Sequence, residues 1–380
     1  MKNFNLDAIL EAMLKVSDRV SDLNFSVGRP PQVEVDGQLV PVNFPGLPRL
    51  TPFQTEMIAM HMLRGDRDLT RSLMQNGSAD LSYSIPQKTR FRVNIFSQRG
   101  TYAIVLRVIP EGVPSLETLK MPQELWNIPK LKNGIVLVTG PTGSGKSTTL
   151  AAIINEINHH HAYHIITIED PVEYMHRHIK STVNQREVGS DTRNFSLALR
   201  AALRQAPKVI LIGEMRDVET IEIAMEAAET GHLVLSTLHT IDAAKTVDRI
   251  VGVFPKDQEP QIRTRLSQSF RYVISQRLLP KVGGGRVAAL EILKSTMRTR
   301  DYVVKGETEG RSLIDAMHDG SVDGMQTFDD EIEKLWQTGV ISKETALAYS
   351  TNPTNLALRL SGEPERLNEG DGDSMLSMLE

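Results

Sequence analysis

A glycine-rich segment near the middle of the chain has the residue types and spacing of a phosphate-binding loop. It matches the pattern G-x-x-x-x-G-K-[ST], follows an apolar strand-like run and opens a helical pattern. Glycines let backbone N–H groups point at phosphate oxygens, the lysine reaches the β- and γ-phosphates, and the next hydroxyl binds Mg²⁺. The segment therefore predicts a nucleotide site with Mg²⁺. Its residues are Gly140, Pro141, Thr142, Gly143, Ser144, Gly145, Lys146, Ser147 and Thr148.

Two glutamates come directly after other strand-like runs. Glu214 follows Val209–Ile212 and Gly213, and Glu173 lies just past Ile168. Ligands of doubly wound sheets bind beyond the carboxyl ends of the strands, so we expect both carboxylates to face the phosphates. Glu214 would hold Mg²⁺ directly or through a water, and Glu173 would take a proton from water. A surface salt bridge or a helix cap is the alternative for each.

Two histidines, His232 and His239, flank a further apolar run. Their separation of seven residues predicts opposite faces or ends of one strand. One of them could sense the γ-phosphate. From the residues alone, a packed structural histidine is the alternative for each.

A predicted hairpin, RFRVNIFSQRGTYAIVLRVI, carries two more candidates. If Arg99 and Gly100 form a two-residue turn, paired residue numbers sum to 199, which places Arg92 opposite Arg107. Like charges directly opposite each other destabilise a sheet, and an anion between them would relieve the repulsion. A solvated basic face is the alternative.

The elements that must position these residues fall into successive regions. Residues 1–110 read as an α+β domain, and 111–118, with its proline and glycine, read as a linker. Residues 119–300 alternate short apolar strands with helical patterns, which predicts a parallel sheet covered by helices. Residues 301–360 are helical in pattern. The stretch 361–380 has six acidic residues and three glycines, so we expect it to be disordered.

The composition argues against several classes of protein. The net charge of the 380-residue chain is -4, which gives no basis for nucleic acid as a partner. There are no cysteines, so disulfides and thiolate metal sites are excluded. No apolar run approaches the ~20 residues needed to cross a bilayer, so any link to a membrane is expected through a partner protein.

Several segments, in order along the chain, resemble the hexameric ATPases of secretion systems and type IV pili, and among them the pilus retraction motors of the PilT/PilU family. The resemblance covers roughly residues 1–360. It implies an α/β fold: a RecA-like P-loop core with an N-terminal α+β, PAS-like domain and C-terminal helices. The four most specific segments are GPTGSGKST (140–148), TIEDPVEY (167–174), LRQAPKVILIGEMRD (203–217) and ETGHLVLSTLHT (229–240).

The resemblance also implies roles within the site. Glu173 matches the family's catalytic base, and Glu214 matches the glutamate that supports Mg²⁺ and the attacking water. His232 would link to neighbouring structure, and His239 would lie near the γ-phosphate. The resemblance thus implies that both histidines belong to the catalytic residues, with Glu173 and Glu214.

Arg92 and Arg107 fall where the N-terminal domain of the family presents arginines to ATP. The implied activity is Mg²⁺-dependent ATP hydrolysis by a homohexamer. Its implied partners are an inner-membrane pilus platform protein and a paralogous retraction ATPase, and its implied location is cytoplasmic, at the pilus base.

The chain departs from the family pattern in places. Lys208 replaces an aspartate, Asn24 replaces a histidine, and residues 296–307 (TMRTRDYVVKGE) replace the family's helical retraction signature. An accessory, PilU-like motor with weak activity of its own is therefore an alternative. An assembly or secretion ATPase is disfavoured by the absence of cysteines and by the start at the first domain. A nucleotide-gated scaffold and a DNA-translocating motor are the remaining alternatives.

Overall fold

The structure is a computed structural model of the protein. The part of the chain that it describes comprises residues 5–45, 47–86, 88–109, 112–308 and 310–361. Two compact units divide this part. The first unit contains the residues up to Val136 together with Ser147–Thr237, and the second contains Leu137–Lys146 together with the residues from Leu238 onward.

The first unit begins with a six-stranded antiparallel sheet. Its strands are β1 (Val20–Phe25), β2 (Gln32–Val35), β3 (Gln38–Pro41), β4 (Ser78–Ile85), β5 (Thr89–Gln98) and β6 (Thr101–Ile109). They lie in the order β3-β2-β1-β6-β5-β4. Three helices, α1 (Leu6–Leu14), α2 (Pro52–Leu63) and α3 (Arg67–Asn76), contribute apolar residues to the same core. The α+β class predicted for this region is confirmed.

Two-residue turns fix the register of this sheet. Asp36 and Gly37 join β2 to β3, and Arg99 and Gly100 join β5 to β6; all four have positive φ, as a type I′ turn requires. On β5, Phe91, Val93 and Ile95 are fully buried, which leaves Arg92 on the other face. The hairpin predicted from the sequence is therefore confirmed.

The first unit also contains four parallel strands. They are β8 (His164–Glu169), β9 (Thr182–Glu187), β10 (Val209–Ile212) and β11 (Leu233–Leu238), the last of which ends one residue inside the second unit. Their order is β11-β10-β8-β9. Every residue of β10 and β11 is buried, because parallel strands covered on both faces need continuous apolar runs. Helices α5 (Phe195–Ala202) and α6 (Val218–Glu229) complete this region.

Strand β7 (Gly134–Thr139), buried throughout, passes from the first unit to the second, and α4 (Lys146–His160) starts directly after the glycine loop, residues 140–145. In the second unit, β12 (Phe270–Pro280) and β13 (Arg286–Lys294) form an antiparallel hairpin that the sequence patterns did not predict. Among the residues that the structure describes, seven α-helices follow β11 in this unit. They are α7 (Ala243–Val251), α8 (Glu259–Ser269), α9 (Met297–Lys305), α10 (Leu313–Asp319), α11 (Phe328–Gln337), α12 (Lys343–Tyr349) and α13 (Pro353–Ser361).

The predicted parallel sheet and C-terminal helices are confirmed. Leu279 of β12 packs with Phe328, Ile332 and Leu356 of the C-terminal helices in one apolar cluster. The acidic stretch predicted to be disordered lies outside the described residues, apart from Ser361, and so does the first residue of the predicted linker. None of the described helices combines the length and the apolar character needed to span a membrane.

Candidate functional site

The glycine loop, in the second unit, has a backbone that only glycine supports at two positions. Gly140 and Gly145 have φ of 142° and 88°. A Cβ on Gly140 would lie 2.4 Å from the carbonyl oxygen of Gln276, and one on Gly145 would lie 2.8 Å from its Nε2 atom. The same Nε2 donates a hydrogen bond of 2.7 Å to the carbonyl oxygen of Ser144. Strand β12 therefore holds the loop in this conformation.

Lys146 is folded against the loop. Its Nζ atom donates hydrogen bonds to the carbonyl oxygens of Gly140 (2.9 Å) and Pro141 (3.0 Å), and the residue is 7% exposed. The ammonium group is thus held beside the backbone that would enclose a phosphate. Together with the absence of space for a Cβ at Gly140 and Gly145, this fits a bound nucleotide phosphate.

A buried chain of hydrogen-bonded polar groups joins the end of β7, where the glycine loop begins, to β12, β13 and α7. Thr139, the last residue of β7, donates to the hydroxyl of Ser275 (3.2 Å), which donates to Oε1 of Glu291 (3.2 Å). The same oxygen accepts the backbone N–H of Ala243, at the start of α7, at 2.7 Å. Burial raises the pKa of Glu291 to about 7, and the nearby charge of Asp242 adds to this while the hydrogen bonds oppose it. The sequence motifs did not indicate this residue, although a glutamate inside the apolar run AALEIL is a signal of a buried polar group.

In the first unit, the first turn of α4 contacts the segment that carries Glu173. The hydroxyl groups of Thr148 and Tyr174 lie 2.9 Å apart. Tyr174 directly follows Glu173, and Thr148 directly follows Ser147. The predicted base and the predicted Mg²⁺-binding hydroxyl are therefore each one residue from this contact.

Strand β9 fixes the segment after β8. Gln185 donates from Nε2 to the carbonyl oxygen of Tyr174 (2.8 Å) and to Oε1 of Glu169 (3.2 Å), and its Oε1 accepts the backbone N–H of His176 (2.9 Å). Burial raises the pKa of Glu169, while hydrogen bonds from Thr167 and Gln185 oppose the shift. The exposed Glu173 thus extends from an anchored backbone.

Glu173 and both predicted arginines line one cavity. Arg92 lies directly opposite Arg107 across β5 and β6, so the predicted pairing is confirmed. The two arginines and Glu173 border a cavity of about 290 Å³, together with Val108, Ile109, Pro171, Val172 and Tyr174. Nε of Arg107 also contacts Oδ1 of Asp22 at 3.1 Å, whereas Arg92 has no ion-pair partner among the described residues. The structure therefore brings a carboxylate and an opposed cation pair together.

Glu214 stands at the end of β10, as predicted. The hydroxyls of Ser236 and Thr237, on β11, donate to the carbonyl oxygens of Ile212 (2.7 Å) and Gly213 (2.6 Å), which fixes the backbone before Glu214. Its Oε1 atom lies 2.7 Å from Nε of Arg216, and its side chain is 14% exposed. Because β8, β10 and β11 are parallel and in register, their carboxyl ends share one edge of the sheet. A half-buried carboxylate at that edge fits an outer ligand of Mg²⁺.

The two histidines lie at opposite ends of β11. His232 precedes the strand, and its Nδ1 atom lies 2.9 Å from the carbonyl oxygen of Ala227. Its own carbonyl oxygen accepts the N–H of Gly134 at 3.0 Å. His239 follows the strand and is exposed. Only His239 is therefore at the end of the strand where ligands of such sheets bind.

The glycine loop, the parallel strands and the polar groups at their carboxyl ends define a P-loop protein. The family model described as type II/IV secretion system protein matches residues 34–328. The chain belongs to this family. The family and the α/β fold predicted from the motifs are confirmed.

Individual relatives agree with this assignment. The type IV pilus retraction ATPase PilT of Pseudomonas aeruginosa is 45% identical over 338 residues, 88% of this chain and 95% of that protein. The type IV pilus ATPase PilU of the same organism is 39% identical over 370 residues, 97% of this chain and 94% of that protein. A crystal structure of the pilus retraction motor PilT with bound ADP has 43% identity and a TM-score of 0.82, covering 94% of this chain and 100% of that one.

Proposed function

We propose that this protein is an ATPase motor that couples Mg²⁺-dependent hydrolysis of ATP to retraction of a type IV pilus. One observation carries the proposal: Glu173 and the opposed pair Arg92 and Arg107 line a single cavity, beside a tyrosine that contacts the first turn of the P-loop helix. A base and cations at this position are the groups that hydrolysis of a bound triphosphate requires.

The glycine loop, Ser147 and Glu214 bind ATP and Mg²⁺. The backbone N–H groups of Gly140–Gly145 and the ammonium of Lys146 hold the phosphates of ATP. The hydroxyl of Ser147 and the carboxylate of Glu214 hold Mg²⁺, Glu214 directly or through a water. When bound, Mg²⁺ neutralises charge on the phosphate oxygens.

The groups lining the cavity act on the terminal phosphate. Glu173 takes a proton from the attacking water, and Arg92 and Arg107 stabilise the charge of the γ-phosphoryl group in the transition state. Arg107 shares its charge with Asp22, so Arg92 supplies the less compensated one. His239 acts near the γ-phosphate, whereas His232, bonded to local backbone, has a linking role.

The mechanical coupling follows the family's organisation. We propose an N-terminal domain (1–110), a linker (111–118), an ATPase core (119–300) and a C-terminal helical region (301–360), assembled as a homohexamer. Movement of the N-terminal domain against the core transmits hydrolysis to an inner-membrane platform protein. The proposed location is the cytoplasmic side of the pilus base.

The ATPase proposal is tested with the purified full chain. We expect phosphate release that requires Mg²⁺ and falls at least about 100-fold in Lys146→Ala, Glu173→Gln and Glu214→Gln. Glu222→Gln, which changes an exposed glutamate on α6, is the matched control and should retain full turnover. Robust turnover by Glu173→Gln or Glu214→Gln would remove that carboxylate from its role.

A second candidate, an accessory motor of the PilU type, is favoured by one specific observation. The match to PilU extends over 97% of this chain, against 88% for PilT. An accessory motor would hydrolyse ATP weakly alone and faster when mixed with a PilT-type partner. In cells, deletion would leave extended, non-retracting pili if this protein is the principal motor, and normal retraction if it is accessory. Lys146→Ala should reproduce the deletion in the first case.

A further inference from the structure

Glu187, the last residue of β9, lies in the segment NQREVG, outside the residues to which a role has been assigned so far. Its side chain is only 4% exposed. A buried carboxylate requires partners for its charge and for its oxygen lone pairs, because burial without them is costly. The partners of Glu187 come from three separate elements of the first unit.

The first set of partners belongs to the antiparallel sheet. Oε2 of Glu187 lies 2.8 Å from a terminal guanidinium nitrogen of Arg90 on β5, and Oε1 accepts a hydrogen bond from the hydroxyl of Ser82 on β4. Across β4 and β5, Ser82 lies directly opposite Arg92, and Arg90 lies directly opposite Ser84. The carboxylate therefore contacts the two strands beside the arginine that lines the cavity.

The second partner is the backbone next to the proposed base. Oε2, the oxygen that contacts Arg90, also accepts the N–H of Val172 at 3.0 Å. Val172 is the residue before Glu173, and both line the cavity with Arg92. A single oxygen atom thus contacts both the antiparallel sheet and the segment that presents Glu173.

The third element is the turn after β9, which holds the backbone and the carboxylate of Glu187 in place. The backbone N–H of Glu187 donates to Oδ2 of Asp191 (2.8 Å), and the N–H of Asp191 donates to the carbonyl oxygen of Glu187 (2.8 Å). The hydroxyl of Ser190 adds a bond of 3.3 Å to Oε1. The backbone on which Glu187 stands is therefore held independently of Arg90 and Val172.

We propose that Glu187 is a positioning residue that ties Glu173 to the arginine-bearing sheet, so that the base and Arg92 keep their relative placement. Displacement of the sheet would withdraw Arg90 from Oε2 and change the hydrogen bonding of Val172 beside the base. Turnover then depends on contact between the sheet and the segment after β8. This inference rests on the proposed ATPase function, because it assigns Glu173 the role of base.

The test is a double-mutant cycle in the full chain, with kcat, KM for ATP and thermal unfolding measured for each variant. Glu187→Gln keeps the size and one acceptor oxygen but removes the charge, and Arg90→Gln removes its partner. We expect kcat to fall at least tenfold in either single variant, KM to change less than threefold, and the double variant to be no slower than the singles. Arg90→Lys should recover much of the lost kcat. The exposed pair Arg71 and Asp68 on α3 provides the control cycle, with no effect on kcat.

Three results would overturn the assignment: unchanged kcat in Glu187→Gln, losses that multiply in the double variant, or a loss confined to KM. If Glu187→Gln does not fold, Ser82→Ala gives the decision, because it removes one bond and leaves the ion pair intact. It should lower kcat several-fold, and unchanged kcat would contradict the proposal. Absence of Mg²⁺-dependent turnover in the unsubstituted protein would instead contradict the proposed function.

Discussion

The glycine loop and the arginine hairpin (β5 and β6), which are both proposed to act on ATP, are organised in different ways. The loop offers backbone groups, and its shape is fixed by Gln276, which leaves no space for a Cβ at Gly140 or Gly145. The hairpin provides side chains instead of backbone groups. Its regular register places Arg92 opposite Arg107, where the two positive charges repel each other. The loop is thus preorganised by packing, while the hairpin holds charge that an anion would stabilise. Substitutions in the loop should change nucleotide binding and protein stability together. Substitutions in the hairpin should change one of these properties without a parallel change in the other.

The largest effect is expected for Gly140→Ala. The new Cβ would overlap a backbone carbonyl oxygen, which cannot move aside as a flexible side chain would. We expect affinity for a fluorescent ADP analogue to fall at least about 100-fold, with a lower unfolding temperature. Gly143→Ala is the matched control, because Gly143 also has positive φ but its Cβ would meet nothing within 4 Å. Equal behaviour of the two variants would show that packing does not define the loop.

The arginine pair should show an intermediate effect that divides by residue. Arg92→Gln and Arg107→Gln should each lower kcat by about tenfold or more, because each removes a cation from the transition state. Arg92→Gln also relieves the repulsion, so its unfolding temperature should stay the same or rise. Arg107→Gln leaves the buried Asp22 without its cation, so its unfolding temperature should fall.

Thermal unfolding and steady-state hydrolysis, measured on the same preparations, check this division. Arg99→Asn, in the turn of the same hairpin and compatible with positive φ, is the control. Parallel changes in stability for Arg92→Gln and Arg107→Gln would mean that the pair is an ordinary solvated surface.

The last prediction concerns stability alone and involves Glu291, which is linked to the start of the glycine loop through Ser275 and Thr139. Its folded pKa, about 7, is raised above the ordinary value of 4.5. The stability that the protonated carboxyl provides is complete below pH 4.5 and is lost as pH rises through 7, a total of about 3 kcal/mol. Glu291→Gln keeps the acceptor for Ala243 and does not titrate. The free energy of unfolding of the unsubstituted protein should therefore fall relative to Glu291→Gln between pH 5 and pH 8. A constant difference across this range would contradict the assignment.

The sequence predicts those parts of the fold and site that depend on local pattern. The arginine pairing follows because a two-residue turn at Arg99 and Gly100 fixes the register by itself. The position of Glu214 follows because a short, fully apolar run is typical of a parallel strand. Glu187 was missed because its partners, Ser82 and Arg90, lie 105 and 97 residues away in the chain, and no local spacing reports such contacts. The β12–β13 hairpin was missed for a related reason, since its long strands mix polar residues with apolar ones.

A structure of the full chain with Mg²⁺ and a non-hydrolysable ATP analogue would show whether the cavity lined by Glu173, Arg92 and Arg107 is the site of hydrolysis. We predict that, in at least one subunit, the Glu173 carboxylate lies within one bridging water, about 6 Å, of the γ-phosphorus, with Arg92 or Arg107 contacting the same phosphate. If Glu173 and both arginines point away from the nucleotide in every subunit, the cavity that they line is not the site of hydrolysis, and the proposed mechanism is wrong.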